Sequence, residues 1–287
     1  MTDTDIRGAV EAFDTGLLAV RARYGLPVTA STLQNDQRRQ NRARHFLHTD
    51  PGGSWVAEDG GVIVGMSQSF VREGYWVLSQ LGALPGSQGR GLGRELLRLA
   101  HTHGDAHSPG TIQCSRDPKA MALYSDFGFS LHPVVAAWGP LRPGAVQHPR
   151  EVTRHEGPEV TATHIEVVSA IDRTVRGAAR AVDLEMMLAE EGARLLLHED
   201  QAYAVAQDDR IVTLGAYNET SAALVLRAML AEAPPGETIE VNWLTAAQQW
   251  AIAVLTEAGI ELQPYGPVMV RGMDTPPSPY IPSGGYG

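Results

Sequence analysis

Three glycines fall within the six residues Gln88-Gly89-Arg90-Gly91-Leu92-Gly93, between an extended apolar run from Tyr75 to Leu84 and a helical run that opens at Arg94. Glycine has no Cβ, so the chain there can take positive φ and come close to a ligand. The first amides of a helix have no intrahelical acceptor, and the helix dipole adds positive potential at the same end. A strand, a glycine turn and a helix in this order therefore suit an anion, with a pyrophosphate as the natural size. A turn without a ligand is the other reading of the same residues. Neither a Rossmann fingerprint nor a P-loop is intact: Arg94 stands where the third fingerprint glycine would fall, and no Gly-Lys-Ser/Thr follows.

Periodicity assigns the segments around the turn. Apolar residues at helical spacing (Ile6, Val10, Phe13, Leu17, Leu18) predict a first helix, and the basic stretch from Asn35 to Leu47 predicts a second. Three strands of an antiparallel meander begin at Ser54, Gly61 and Tyr75, with turns at Asp59-Gly60-Gly61 and Arg72-Glu73-Gly74. After the glycine turn come a helix, a strand from Thr111, a helix ended by Gly128, and a last strand from Phe129 to Trp138. Residues 143–160 mix proline, glycine and charge and read as a linker. The order then recurs as helix 174–190, strands 194–198, 202–206 and 210–217, helix 220–232, strand 238–244, helix 246–258 and strand 260–270. The economical reading is an α+β fold, a mixed and mostly antiparallel sheet flanked by helices, duplicated in tandem over 1–142 and 161–272. The tail, 273–287, holds too much proline and glycine for regular structure.

Composition narrows the function. At 287 residues the chain is about twice the usual domain size. With 43% hydrophobic and 20% charged residues it is neither disordered nor a rod. A net charge of -10 argues against nucleic acid, whose binders cluster Lys and Arg, and is compatible with a cationic amine. One cysteine, Cys114, excludes an internal disulfide and every multi-cysteine metal site, so no metal is expected and the reducing cytoplasm is the simplest location. The acidic N-terminal stretch lacks the features of a signal peptide and no apolar run is long enough to span a bilayer, so no membrane partner is expected.

Joined motifs give the sequence its family likeness. Leu81-Gly82-Ala83-Leu84-Pro85 followed by Gln88-Gly89-Arg90-Gly91-Leu92-Gly93, and later Asp117-x-x-Ala120-x-x-Leu123-Tyr124-x-x-x-Gly128-Phe129, resemble the GNAT superfamily of acyl-CoA-dependent N-acyltransferases over roughly residues 5 to 140. One departure is Asp117, where the family usually has asparagine in contact with the pantetheine arm. The resemblance implies a splayed pair of strands receiving acetyl-CoA as cosubstrate. Pantetheine would bond to main-chain groups at Leu81, Gly82 and Ala83, the pyrophosphate would lie on the amides from Gln88 to Arg94, and Asp117 and Ala120 would border the arm. It also implies Tyr124 as the acid that protonates the departing thiolate, and direct transfer to the primary amine of a small molecule in a ternary complex. The rival class is an acyl-CoA-binding sensor or scaffold without turnover.

The general base is not named by sequence. Gly82 stands where some relatives carry a carboxylate. Ser79 and Gln80 either hold a water or are polar residues of an exposed strand face. His101 and His103 follow a helix end, where histidine is ordinary, and His45 and His48 flank the second helix. Cys114 reads either as a buried small thiol or as an acyl carrier. In the second half the segment matching the glycine turn is Asn218-Glu219-Thr220-Ser221-Ala222, with a carboxylate where a pyrophosphate would lie, and Leu255 stands at the spacing of Tyr124. Asn218 or Thr220 reads as a helix cap. The second copy is thus expected to be degenerate and to serve packing, acceptor enclosure or pairing into a homodimer.

Overall fold

The computed structural model of the chain describes residues 1–25, 36–89, 91–104, 107–142, 144–208, 210–233 and 236–287. In chain order the first half forms α1 (Ile6–Arg23), α2 (Asp36–Thr49), β1 (Ser54–Asp59), β2 (Val62–Arg72), β3 (Tyr75–Ala83), α3 (Leu92–His101), β4 (Gly110–Gln113), α4 (Pro118–Asp126), β5 (Ser130–His132) and β6 (Val135–Pro140). The rest forms β7 (Thr153–Glu156), α5 (Ala162–Val175), α6 (Ala181–Leu188), β8 (Ala193–His198), β9 (Ala202–Gln207), β10 (Arg210–Ala216), α7 (Glu219–Glu232), β11 (Thr238–Leu244), α8 (Gln249–Glu257), β12 (Glu261–Pro264), β13 (Val268–Arg271) and β14 (Tyr280–Ile281). The sheets run β1-β2-β3-β4-β13-β5, β14-β10-β9-β8-β7 and β11-β6-β12. This is the mixed, mostly antiparallel α+β fold expected.

Contacts group the chain into two units. The first is residues 1–130 with 269–273, and the second is 131–268 with 274–286. In the first unit α1 buries Ile6, Ala9, Val10 and Ala12; of the residues that its helical spacing marks out, Ile6 and Val10 are buried and Phe13, Leu17 and Leu18 are half-buried. Phe46 of α2 stacks on Phe70 of β2 with centroids 4.5 Å apart. On the sheet's other face Trp76, Leu97, Ile112, Tyr124, Phe129 and Met269 form one cluster. The second unit's core gathers Leu196, Ala204, Leu214, Val225, Met229, Ile239, Leu255 and Ile281. Each Val, Leu, Ile, Phe or Met side chain so buried contributes about 1.5–3 kcal/mol. Strand β6, from the first half of the sequence, pairs with β11 and β12 in the second unit, whereas Met269–Met273 belongs to the first unit.

Several segments differ from the sequence reading. The helix expected over 174–190 is only α6: residues 162–175, to which no element was assigned, form α5, Gly177 at φ +88° follows its end, and α6 starts after the fully buried Arg180. The β-branched stretch around Val167 and Val168 is helical because one side of it packs inward. The single strand expected over 129–138 is β5 and β6, and that over 260–270 is β12 and β13. Thr153–Glu156, inside the 143–160 stretch, pairs with β8 from Thr153↔Leu197 to Glu156↔Arg194. The expectation that the tail lacks regular structure is corrected by β14, which pairs with β10 at Leu214↔Ile281 and Gly215↔Tyr280. Two buried apolar residues suffice there, and proline, lacking an N–H, confines the strand to them.

Candidate active site

Strands β3 and β4 are parallel and paired only through Trp76↔Gly110, Val77↔Thr111 and Leu78↔Ile112. Beyond Leu78 they part, and among the described residues no strand pairs with Leu81–Gly82–Ala83 on that edge. The parting starts at a bulge: opposite β2, Gln68 faces Gln80 and Ser69 faces Leu78, which puts Ser79 in the bulge. Exposed amides and carbonyls along a strand edge are a template for one more extended chain or its mimic.

At the end of this edge Gly89 and Gly91 take φ +85° and +82°, and nothing lies within 4 Å of where a Cβ would stand on either. Gly91 caps α3, whose first internal bond runs from Glu95 N to Gly91 O at 3.1 Å, so the amides of Leu92, Gly93 and Arg94 precede the ladder. Arg90 lies outside the described residues. The Gln88 side chain turns back, its Nε2 donating to Ala83 O at 3.2 Å, and the Arg94 guanidinium pairs with Asp126, so Arg94 offers the turn its amide and not its charge.

Tyr124 of α4 is 6% exposed and packs with Leu78, Ile112 and Cys114, with Leu81, Ala120 and Leu123 against the same cluster. Burial, with Cys114 and Asp117 beside it, pushes its hydroxyl far above the ordinary tyrosine range, so it stays protonated at working pH. The helix that carries it starts at Asp117, whose Oδ1 accepts from Lys119 N at 3.0 Å, and ends at Gly128. Asp117 is thus engaged as a helix cap and also accepts from Tyr24 Oη at 3.4 Å. Burial and Asp117 push the Cys114 thiol up to about 12, which keeps it from being a thiolate.

Ser79 and Gln80 do not lie on an exposed face: both are buried, Gln80 at 2% exposure with neither its Nε2 nor its Oε1 partnered among the described residues. Gln80 shares its face of β3 with Gly82, against which Phe13 of α1 packs so closely that a Cβ would meet its ring at 2.8 Å. A carboxylate at position 82 is therefore excluded by α1. The histidines serve elsewhere. His48 pairs with Asp3, His103 with Asp50 at 2.9 Å, and His101 packs on Trp76 and Phe127 with its pKa lowered by burial and by Arg271. Strand alternation could have marked the Gln80 face; nothing in the sequence marks the approach of Phe13. Among the described residues no group of His, Cys, Asp and Glu is placed to hold a metal ion, and no helix is long and apolar enough to cross a membrane.

The sequence pattern of the Acetyltransferase (GNAT) family matches residues 23–129, which hold the strand edge, the glycine turn and Tyr124. Residues 23–129 are thus similar in sequence to the GNAT family. The fold of the whole chain is shared with a Pyrococcus horikoshii protein solved as a candidate acetyltransferase, at TM-score 0.76 and 18% identity over 100% of this chain and 94% of that one. A tandem GNAT protein from the clavulanic acid biosynthesis pathway gives TM-score 0.56 and 17% identity over 93% and 94%. A GCN5-related N-acetyltransferase from Sphaerobacter thermophilus gives 0.60 and 13% over 96% of each chain. No curated protein sequence matches the chain.

The second unit does not repeat the GNAT site. Asn218 caps α7, its Oδ1 accepting from Ser221 N at 2.8 Å, and Glu219 follows as the first helical residue. Leu255, at the spacing of Tyr124, is fully buried in the core. Trp250, Tyr280 and Tyr286 are buried, and Trp243 packs edge-on against Tyr265 with centroids 5.6 Å apart.

Proposed function

We propose that this protein transfers an acetyl group from acetyl-CoA to the primary amine of a small molecule, directly and in a ternary complex. The observation that carries the reading is the burial of a protonated Tyr124 against the two strands that part after Leu78. The edge at Leu81, Gly82 and Ala83, which no described strand pairs and where only Ala83 O is held by the Gln88 side chain, suits the amide-bearing pantetheine arm, and the amides of Gly89 and of Leu92 to Arg94 suit the pyrophosphate, with Ala120 at the border. Acetyl-CoA supplies a thioester carbonyl to the amine. As the C–N bond forms and the C–S bond breaks, the Tyr124 hydroxyl donates to the sulfur, and the proton shed by the amine restores the balance. A free thiol titrates near about 8.5, well below Tyr124, so the hydroxyl acts first as a hydrogen-bond donor to developing charge.

Direct transfer is favoured over an acyl-enzyme because Cys114 is a buried, protonated thiol whose Sγ donates to Ser115 O at 3.1 Å. The reaction needs no metal. A cytoplasmic setting and an amine acceptor, with neither nucleic acid nor membrane as partner, complete the reading; the second copy serves structure, and a homodimer is compatible with it. The test is thiol release from acetyl-CoA across amines, amino acids, polyamines, aminoglycosides and protein N-termini. Release with at least one small amine is expected. Calorimetric binding of acetyl-CoA with no release across the panel would instead make the protein a sensor, and no binding at millimolar ligand would end both readings.

A further inference from the structure

The two units share a device that the glycine turn does not reveal. In β3 the bulge at Ser79 is followed by Gln80 and then Leu81-Gly82-Ala83; in β10 the pairing with β9 skips Val212, and Thr213 and then Leu214-Gly215-Ala216 follow. The same tripeptide thus stands after the same irregularity, in β3 of one unit and β10 of the other. In the second unit that edge is occupied. The chain's own tail runs along it, with Leu214↔Ile281 and Gly215↔Tyr280 paired and Ala216 N donating to Pro279 O at 3.2 Å.

The tail's polar groups are met by buried side chains of the second unit. Gln248, which holds in the second copy the spacing of Asp117, donates from Nε2 to Pro277 O at 3.0 Å. Thr213, the counterpart of Gln80, donates to Ile281 O at 3.0 Å. Arg180, fully buried and paired with Asp172 at 2.9 Å, donates to Tyr286 O at 3.0 Å and to Thr213 Oγ1 at 2.9 Å, and its guanidinium lies 5.7 Å from the Tyr280 ring centroid. A buried cation tolerates little loss of its partners. Ile281 joins the second unit's core, and a Cβ on Gly284 would strike the Trp243 ring at 2.5 Å. These contacts read backbone along an extended segment and select two apolar side chains, which is strand addition to a sheet edge.

We propose that the second unit is a peptide-binding module, whose cleft along Leu214–Ala216 takes an extended peptide and whose resident ligand is the chain's own segment 276–286. The unit is therefore closed to an acyl thioester by occupancy as well as by Glu219 at the start of α7.

Asp274 and Thr275 are exposed just before the segment, so a protease site inserted between them allows the folded full-length chain to be cut. The cut segment is expected to co-elute with the protein on gel filtration. A labelled synthetic peptide of residues 276–287 in excess is expected to exchange into its place. A peptide with Tyr280→Ala and Ile281→Ala should incorporate about tenfold less or worse, and a scrambled peptide should not incorporate. Retention without exchange supports the same site with slow release. Loss of the segment with a lowered melting temperature that the peptide restores supports it too. Loss with an unchanged melting temperature, loss that the peptide does not reverse, or equal incorporation of the scrambled peptide overturns it. None of these readouts involves acetyl-CoA, so the outcome is separate from that of the acyltransferase reading.

Discussion

At Tyr124 the apolar cluster that fixes the ring also keeps its hydroxyl protonated. Tyr124→Phe preserves the ring and removes only the hydroxyl. Turnover is expected to fall about 100-fold or more, with calorimetric affinity for acetyl-CoA unchanged; unaltered turnover removes Tyr124 from the mechanism. Gln80 presents the opposite case, a buried amide with no partner among the described residues. Such a group costs about 1–3 kcal/mol, so Gln80→Leu is expected to raise the urea midpoint while raising KM for the amine and leaving acetyl-CoA affinity alone. A lowered midpoint would show that Gln80 is satisfied in solution. The helix that carries Tyr124 was legible from the glycine that ends it, Gly128. Gln80 was ambiguous, because a polar residue on a strand shows its face only once the covering helix is known.

Among the elements, the ends of α2 and α3 and the strand β2 meet at one carboxylate. Asp50 accepts from Arg72 Nη1 at 2.7 Å, Val71 N at 3.0 Å and Thr49 Oγ1 at 2.7 Å, and pairs with His103 at 2.9 Å. Burial alone would raise its pKa, but these partners outweigh burial and hold it at about 2. A folded value below the unfolded one adds stability above pH 4 that is lost as pH falls from about 4 to 2, about 2 kcal/mol in all. Urea titrations across that range should show the loss in the parent protein and a flatter acid limb in Asp50→Asn; parallel curves would refute it. The meander β1–β3 was legible because its strands alternate or run apolar with β-branched and aromatic residues and its turns carry glycine. Asp50 was not, since its partners lie far along the chain. Nor was α5, whose threonines and valines resemble a strand until one side is seen to be buried, or β14, whose two apolar residues stand among prolines.

For the whole molecule, the sequence halves and the folded units do not coincide. Met269 completes the first unit's cluster with Trp76 and Phe129, Arg271 donates from Nε to Ser108 O at 3.2 Å and lies 4.9 Å from the Phe129 ring centroid, and β6 sits between β11 and β12. A fragment of residues 1–142 lacks the first of these and carries β6 without its partners. It is expected to give no cooperative calorimetric transition alone and to regain one when produced with 143–287; a sharp transition from 1–142 by itself would contradict this. Most of the helices and strands were legible, but the ownership of β6 and β13 was not, because a strand's period says nothing about which sheet receives it. At about 5–20 residues per second, Met269 leaves the ribosome roughly ten to thirty seconds after Gln113. The sheet that holds β1 to β5 therefore keeps one slot unfilled until β13, its last strand in chain order, has been made.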